Sequence, residues 1–250
     1  MDYLAPPALL KDKVILITGA GDGIGKQAAL AYARHGATVL LLGKTTTKLE
    51  HVYDEIVEMD APEPGIAPMD LALATSDDIR QLADNLEARY GRIDGLLHNA
   101  AVLGERIPAE HYDIDKWMGV MQVNFNAVFS LTRLLLPLLR QSKAASLLFT
   151  SSSVGAAPRA YWGPYAVSKY AVEGLAKLLA EELESTSCIR VNIINPGATR
   201  TRMRRAAFPN EDPAGVNTAD SLMPLYLYLM GDDSKGRNGE TFNARETNQR

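Results

Sequence analysis

The sequence predicts a three-layer αβα sandwich around a doubly wound parallel sheet. Three observations predict it. Short apolar, β-branched runs alternate along the chain with longer segments of helical periodicity, the pattern of strands covered on both faces by crossover helices. The first such run, Val14 to Thr18, leads directly into a glycine-rich turn and then a helical pattern. No repeat, linker or change of composition divides the 250 residues, a length that one core can organise, so a single domain over 1–250 is expected.

Residues 1–12 read as a lead-in, because Pro6-Pro7 discourages regular structure. After the strand at 14–18 come Gly19-Ala20-Gly21-Asp22-Gly23-Ile24-Gly25 and a helix carrying Ala28, Leu30, Ala31 and Ala33. Strand, glycine turn and helix are the context in which backbone approaches a pyrophosphate and a helix N-terminus supplies free N–H groups, so the sheet is of Rossmann type with a dinucleotide at this turn. Gly36 closes the helix, and 37–42 is the second strand. An Asp or Glu after it would hold a ribose 2′-hydroxyl and repel a 2′-phosphate. This chain has Gly43-Lys44-Thr45-Thr46 instead: room, a positive charge and hydroxyl donors, which favour NADP(H) over NAD(H). A helix over 47–58 follows, then a short strand over 66–69 ending at Asp70, which either contacts the adenine or caps local backbone. Thr75 and Asp78 form a capping pattern for a helix over 79–90, closed by Gly91. The fourth strand, 93–98, delivers Asn99-Ala100-Ala101 to the C-terminal edge of the sheet, where open parallel sheets bind ligands.

Asp113 or Asp115 starts a long helix with Trp117, Met118, Met121, Val123, Phe125, Phe129 and Leu131 at mostly helical spacing, read as core or subunit contacts. Asn124 is a short amide within that apolar run: a satisfied buried polar group, or a site residue at a local distortion. Pro137 bends or closes the helix. The fifth strand, 144–150, delivers Ser151, Ser152 and Ser153, and Gly163-Pro164 starts the helix with Tyr165 and Lys169. The sixth strand, 189–194, ends in Asn195-Pro196-Gly197. Residues 198–218 hold Arg200, Arg202, Arg204 and Arg205 with Pro209 and Pro213, and read as an irregular flap over the site. A helix over 219–230 and a short strand over 240–243 complete the chain.

The chemistry concentrates between Ser151 and Lys169. Tyr165 and Lys169 stand four apart, on one face of a helix. An ammonium beside a phenol favours the phenolate, so Lys169 is expected to lower the tyrosine below its free value of about 10 and make it an acid or base. A serine at the strand end can hold a carbonyl oxygen while the tyrosine supplies the proton.

Composition excludes several classes. A net charge of −4, from 26 basic and 30 acidic residues, with no basic arm, argues against nucleic acid. The apolar segments are too short and interrupted to cross a bilayer, and there is no signal-peptide layout, so a cytoplasmic protein is expected. No Cys/His cluster suggests a metal, and the lone Cys188, beside an apolar run, is expected to be a buried thiol.

Taken together, Thr18-Gly-x-x-x-Gly23-Ile-Gly25, Asp70, Asn99-Ala, Asn124, the serine segment, Tyr165-x-x-x-Lys169 and Pro196-Gly197 resemble, in order and over nearly the whole chain, the short-chain dehydrogenase/reductase family. Leu42-Gly43-Lys44, Leu96-x-His98-Asn99-Ala100, Phe149-Thr-Ser-Ser-Ser-Val-Gly155 and Met223-Pro-Leu-Tyr-Leu resemble more closely a bacterial oxidoreductase subgroup within it. The resemblance implies an NADP(H)-dependent oxidoreductase that moves hydride between nicotinamide and a small carbonyl or alcohol, as a homodimer or homotetramer. It implies Tyr165 as catalytic acid/base, Lys169 as the group that lowers its pKa and binds the nicotinamide ribose, and Asn124 as holder of a water linking Lys169 to solvent. The family serine matches Ser152, with Ser153 competing. The cofactor set is Thr18, Gly19, Gly21, Asp22, Gly23, Ile24, Gly25, Gly43, Lys44, Thr45, Asp70, Leu71, Asn99, Ala100, Ala101, Tyr165, Lys169, Pro196, Gly197, Thr199 and Thr201. Two departures stand out: His98, read as structural, and Ala101, where a glycine is common. Substrate walls are expected from 102–112, 154–162 and 198–216, with Tyr161, Trp162, Met203 and Phe208 as apolar surfaces and the flap arginines as anchors. The rival expectation is an NADP(H)-binding scaffold or redox sensor with little turnover.

Overall fold

The computed structural model describes residues 3–244. Its strands are β1 Val14–Thr18, β2 Thr38–Gly43, β3 Gly65–Pro68, β4 Gly95–His98, β5 Ser146–Thr150, β6 Arg190–Asn195 and β7 Thr241–Asn243. They form one parallel sheet in the order β3-β2-β1-β4-β5-β6-β7. The helices are α1 Gly23–Arg34, α2 Thr46–Val57, α3 Ser76–Tyr90, α4 Ile114–Met121, α5 Ala127–Arg140, α6 Ser153–Ala156, α7 Gly163–Glu184, α8 Arg202–Ala207 and α9 Met223–Met230.

The pleat divides the core in two. Leu16, Leu40, Leu96, Leu147 and Val191 face α3, α5 and α7. Their neighbours Ile15, Leu41, Leu97, Leu148 and Ile194 face α1, α2 and α9. Both faces are dry, which is why the strands read as continuous apolar runs. The strand order reverses at β1, whose two edges pair with β2 and β4, and the reversal opens a crevice at the C-terminal ends of β1 and β4. This is the three-layer Rossmann-type sandwich expected from the sequence.

Several local expectations change. The fourth strand begins at Gly95, although the Asp94 backbone already bonds both neighbouring strands (N to Val14 O, 2.7 Å; O from Ser146 N, 3.0 Å) while its carboxylate binds Val14 N (2.9 Å), Ser142 Oγ (2.6 Å) and Arg92 Nε (3.1 Å). The helix expected from Asp113 onward is capped by Asp113 but broken into α4, a π-helical turn over Gln122–Asn126, and α5. Pro137 does not close α5, which runs on to Arg140. Met118 and Phe129 stay exposed, so of the two readings given for them subunit contact is the one left. The flap is partly ordered by α8, a 3₁₀ turn at Pro213–Gly215 and a bridge between Thr199 and Asn217. Cys188 is exposed, not buried: it lies in the turn before β6, and Ile189 is the first side chain there to point inward. Thr75 and Asp78 form the expected capping box on α3. Among the described residues no helix is long and apolar enough to cross a membrane.

Asp94 is 6% exposed, and removing its carboxylate strands the buried Val14 N–H. Asp94→Ala should lower the unfolding free energy by about 2–4 kcal/mol in urea titrations, while an exposed substitution such as Lys143→Ala should change it by under about 0.5 kcal/mol.

Candidate active site

The ends of β1 and β4 are tied by one side chain. Thr18 Oγ1 accepts from Asn99 N and Ala100 N, both at 3.0 Å, and Asn99 Nδ2 donates back to Thr18 O at 3.2 Å. The glycine turn folds onto this knot. A Cβ on Gly25 would overlap Gly19 O and lie 2.6 Å from Asn99 Nδ2, so only glycine lets α1 start this close to the sheet. Asp22 caps α1 by accepting from Gly23 N at 2.8 Å. Its carboxylate also holds Lys48 at 2.6 Å and Arg202 at 3.5 Å. Partial burial pushes the Asp22 carboxyl up, but these cations more than offset it and leave it below the usual carboxylate range.

A cavity of about 890 Å³ runs from this turn across the ends of the strands. Every residue expected to bind cofactor lines it except Thr18 and Gly25, and Ser152 lines it too; Thr18, Gly25 and Asn124 instead touch lining residues from behind. Thr201 approaches the turn so closely that a Cβ on Gly23 would be 3.2 Å from its Cγ2. At the other end of the turn, Lys44 and Thr45 are exposed, with no carboxylate beside them at the end of β2, and Lys44 has no ion-pair partner among the described residues. Of the two roles left open for it, Asp70 caps local backbone, its Oδ1 accepting from Ala72 N at 3.0 Å, and it also lines the cavity. These residues fit a dinucleotide: a glycine cradle with no Cβ, a helix N-terminus aimed at the phosphates, and an unpaired lysine where an adenosine phosphate would sit.

The side chains expected to be catalytic, Ser152, Tyr165 and Lys169, all line this cavity. Ser152, at the end of β5, faces the Tyr165 phenol, and Ser153 instead begins α6. Tyr165 is 7% exposed, and burial raises its pKa above the usual 10 although the Ser152 hydroxyl pulls in the opposite direction. The lowered tyrosine expected from Lys169 is therefore not found in the protein alone. The Lys169 ammonium lies 5.8 Å from the tyrosine ring centre and gives a hydrogen bond to Thr150 O at 2.6 Å. Burial brings Lys169 itself down to about 8, against the favourable charge of Glu173.

Asn124 is buried at the π turn. Its amide holds the Val102 backbone at both ends (Oδ1 to N, 2.8 Å; Nδ2 to O, 2.9 Å) and donates to Ser168 Oγ at 3.1 Å. The side chain is thus committed to shaping the loop after β4. His98 is 4% exposed and stacked on Phe149 with ring centres 5.0 Å apart. Thr132 Oγ1 donates to Val128 O, so it accepts from His98 Nε2 (2.8 Å), which puts a proton on Nε2; burial, then Lys169, bring the pKa down to about 3 and keep the imidazole neutral.

The far end of the cavity is apolar, walled by Trp162, Met203 and Phe208 as expected and by Tyr112 and Leu103, which the sequence did not single out. Tyr161 is not part of the wall: it is 56% exposed with φ at 70°, turned outward just before α7. Nor are the flap arginines a free anchor set. Arg204 is forked onto Glu211 (2.6 and 2.5 Å) and lies 3.8 Å over Phe208, while Arg202 is paired to Asp22. The residues missed altogether are those behind the motifs, Lys48 and Glu173, while Ser151 was named in the serine segment without a role of its own. The only signal for the two was position: one turn into α2, and four residues past Lys169.

Comparison with known proteins places this geometry. The family model described as short chain dehydrogenase matches residues 13–212. The Escherichia coli oxidoreductase YciK is 51% identical over 245 residues, 98% of this chain and 96% of that protein. A crystal structure of a short chain dehydrogenase from Escherichia coli CFT073, complexed with NADPH, superposes with a TM-score of 0.93 at 52% identity, covering 96% of this chain and 99% of that one. A 3-oxoacyl-[acyl-carrier-protein] reductase of Thermotoga maritima is 31% identical over 92% of this chain and 95% of its own length.

In the protein without nucleotide, the Tyr165 phenol should ionise only above pH 10, since burial raises its pKa. The difference in phenolate absorbance between wild type and Tyr165→Phe should emerge above that pH; emergence near pH 8 would contradict the electrostatics described here.

Proposed function

The chain belongs to the short chain dehydrogenase family, and from that membership we propose that it is an NADP(H)-dependent carbonyl reductase or alcohol dehydrogenase working at the Ser152, Tyr165 and Lys169 cluster. The observation that carries the reading is the meeting of these three side chains in one cavity with the glycine cradle. When bound, the nicotinamide supplies or accepts the hydride. Ser152 holds the substrate oxygen by a hydrogen bond, and Tyr165 donates its proton as negative charge develops there. Lys169 stabilises the phenolate left behind and takes the ribose hydroxyls. Gly19 to Gly25 cradle the pyrophosphate at the N-terminus of α1, and Lys44 with Thr45 takes the adenosine 2′-phosphate, which sets the preference for NADP(H). Asn124 supports proton return by holding the wall beside α7 open to water.

The apolar, aromatic far wall suits a planar ketone, aldehyde or quinone. A reductase among the relatives that is named for a 3-oxoacyl substrate supports a carbonyl. The large apolar side chains exposed on neighbouring helices, Met118 on α4, Phe129 on α5, and Val167, Tyr170 and Leu178 on α7, support a homo-oligomer built on that face.

The test is NADPH consumption, with NADH in parallel, over a panel of ketones, aldehydes and quinones. Tyr165→Phe should lower turnover by a factor on the order of 10² to 10⁴ with NADPH binding retained. Turnover unchanged by that substitution would overturn the mechanism.

The phosphate contact is tested apart from turnover. By fluorescence titration, Lys44→Ala should weaken NADPH binding roughly 5- to 30-fold, the equivalent of about 1–2 kcal/mol, and leave NADH binding unchanged. Equal losses for both nucleotides would place the 2′-phosphate elsewhere.

A further inference from the structure

Glu173 is a carboxylate where none is expected. It lies within α7, is 8% exposed, and is surrounded by the helix and the end of β5. Acidic side chains are almost never buried to this degree without a partner. One direct partner is in place, and one cation acts from beyond ion-pair distance. Ser151 Oγ donates to Glu173 Oε1 at 2.5 Å. Lys169, four residues earlier on the same face of α7, feels the carboxylate as a favourable charge.

The meeting point of these groups is marked by a glycine. A Cβ on Gly155 would lie 2.6 Å from Ser151 Oγ, 3.0 Å from Lys169 Cβ and 3.1 Å from Glu173 Oε1. Three side chains from two elements thus converge on the space that the missing methyl leaves. This gives a physical reason for the glycine of the Ser152-x-x-Gly155 pattern, which is otherwise unexplained, since its backbone is not in the left-handed region.

We propose that Glu173, anchored by Ser151, is a positioning residue: the buried counter-charge that keeps Lys169 a cation in the active site. The proposal rests on the role given to Lys169 above. The other titratable groups around Lys169 cannot fill the position. On α7, the Tyr165 phenol is neutral because burial raises its pKa. On β4, the His98 imidazole is neutral for the same reason, since burial lowers the pKa of a base. On β5, Thr150 offers only a carbonyl oxygen. A buried ammonium with no opposite charge loses its proton at neutral pH, and a neutral amine would neither stabilise a phenolate nor hold its charge toward a nucleotide.

The experiment follows Lys169 directly and needs no substrate. With ¹³C-labelled lysine, its Cε resonance, assigned by its loss in Lys169→Met, is titrated by NMR in wild type and in Glu173→Gln, which keeps the shape and the acceptor for Ser151. The wild-type midpoint should lie near 8. In the variant it should fall by roughly one unit, because the negative charge that favoured the ammonium is gone. NADPH affinity, read by fluorescence, should be nearly equal in the two proteins at pH 6.5 and weaker in the variant by roughly fivefold to tenfold at pH 8.5, where more of its lysine is neutral. An unmoved Lys169 midpoint overturns the proposal. Should Glu173→Gln lose its native circular dichroism, Ser151→Ala takes its place: it releases the carboxylate, and the Lys169 midpoint must still fall, by less. Failure of the cofactor reading looks different: neither protein would bind NADPH at any pH, while the lysine titration would still report on Glu173.

Discussion

The site depends on one knot at the point where the sheet changes direction. Thr18 Oγ1 ties the backbone after β4 to the end of β1, and Asn99 closes the loop in return. A continuous path of hydrogen bonds runs on from there. Val102 is gripped by Asn124, Asn124 donates to Ser168, and Ser168 donates to Tyr165 O at 2.8 Å. The glycine turn on one side and the catalytic helix on the other are therefore set by the same frame. A displacement of the β4 end would move both. The π turn makes this possible: the widened turn over Gln122–Asn126 places one polar residue of an apolar helical run where it faces the loop.

The electrostatics of the centre pull against its chemistry. Tyr165 and Lys169 are both buried, and burial opposes charge on each: the phenol is raised and the ammonium is brought down to about 8. Spacing alone suggested that the lysine lowers the tyrosine, but spacing carries no information on desolvation, which dominates here. The phenolate must be favoured by what enters the cavity and by Ser152, while the ammonium must be favoured by what is already there. A site arranged this way holds its proton until substrate and cofactor complete it, which limits proton exchange with water between turnovers.

The layers, the strand–glycine–helix opening and the residues at the strand ends were legible in the sequence because each rests on local rules: period, turn chemistry and helix spacing. Apolar β-branched runs located the strands, and the strand–glycine–helix order located the crevice at the end of β1. What was not legible depends on contacts between distant residues. The Asp94 carboxylate is buried because its partners are Val14 and Ser142, 80 and 48 positions away. Cys188 and Ile189 are neighbours in an apolar run, and only the turn into β6 decides which one points out. Tyr161 and Trp162 look interchangeable as wall residues until a left-handed backbone turns Tyr161 to solvent. Glu173 reads as a solvated helix residue until α7 is packed against β5.

The same distinction separates chemistry from substrate choice. The reacting groups sit on strand ends and on a helix with a buried face, so short patterns specify them. The substrate wall is assembled across the flap: Arg106 lies 4.7 Å from the Trp162 ring and 5.0 Å from the Phe208 ring, and it also donates to Ala207 O. One guanidinium thereby joins the loop after β4, the start of α7 and the end of α8, and Arg204 braces Phe208 from the other side through Glu211. Cation–π contacts of this kind are each worth only about 0.5–2 kcal/mol. They are enough to hold an aromatic wall in place, and that wall is continuous with Tyr165: the Trp162 ring lies 5.8 Å from the Tyr165 ring, and both belong to one apolar cluster with Ala207, against which Met203 and Phe208 pack. A substitution at Arg106 or Phe208 therefore reshapes the cavity and bears on how Tyr165 is held, because one set of contacts serves both.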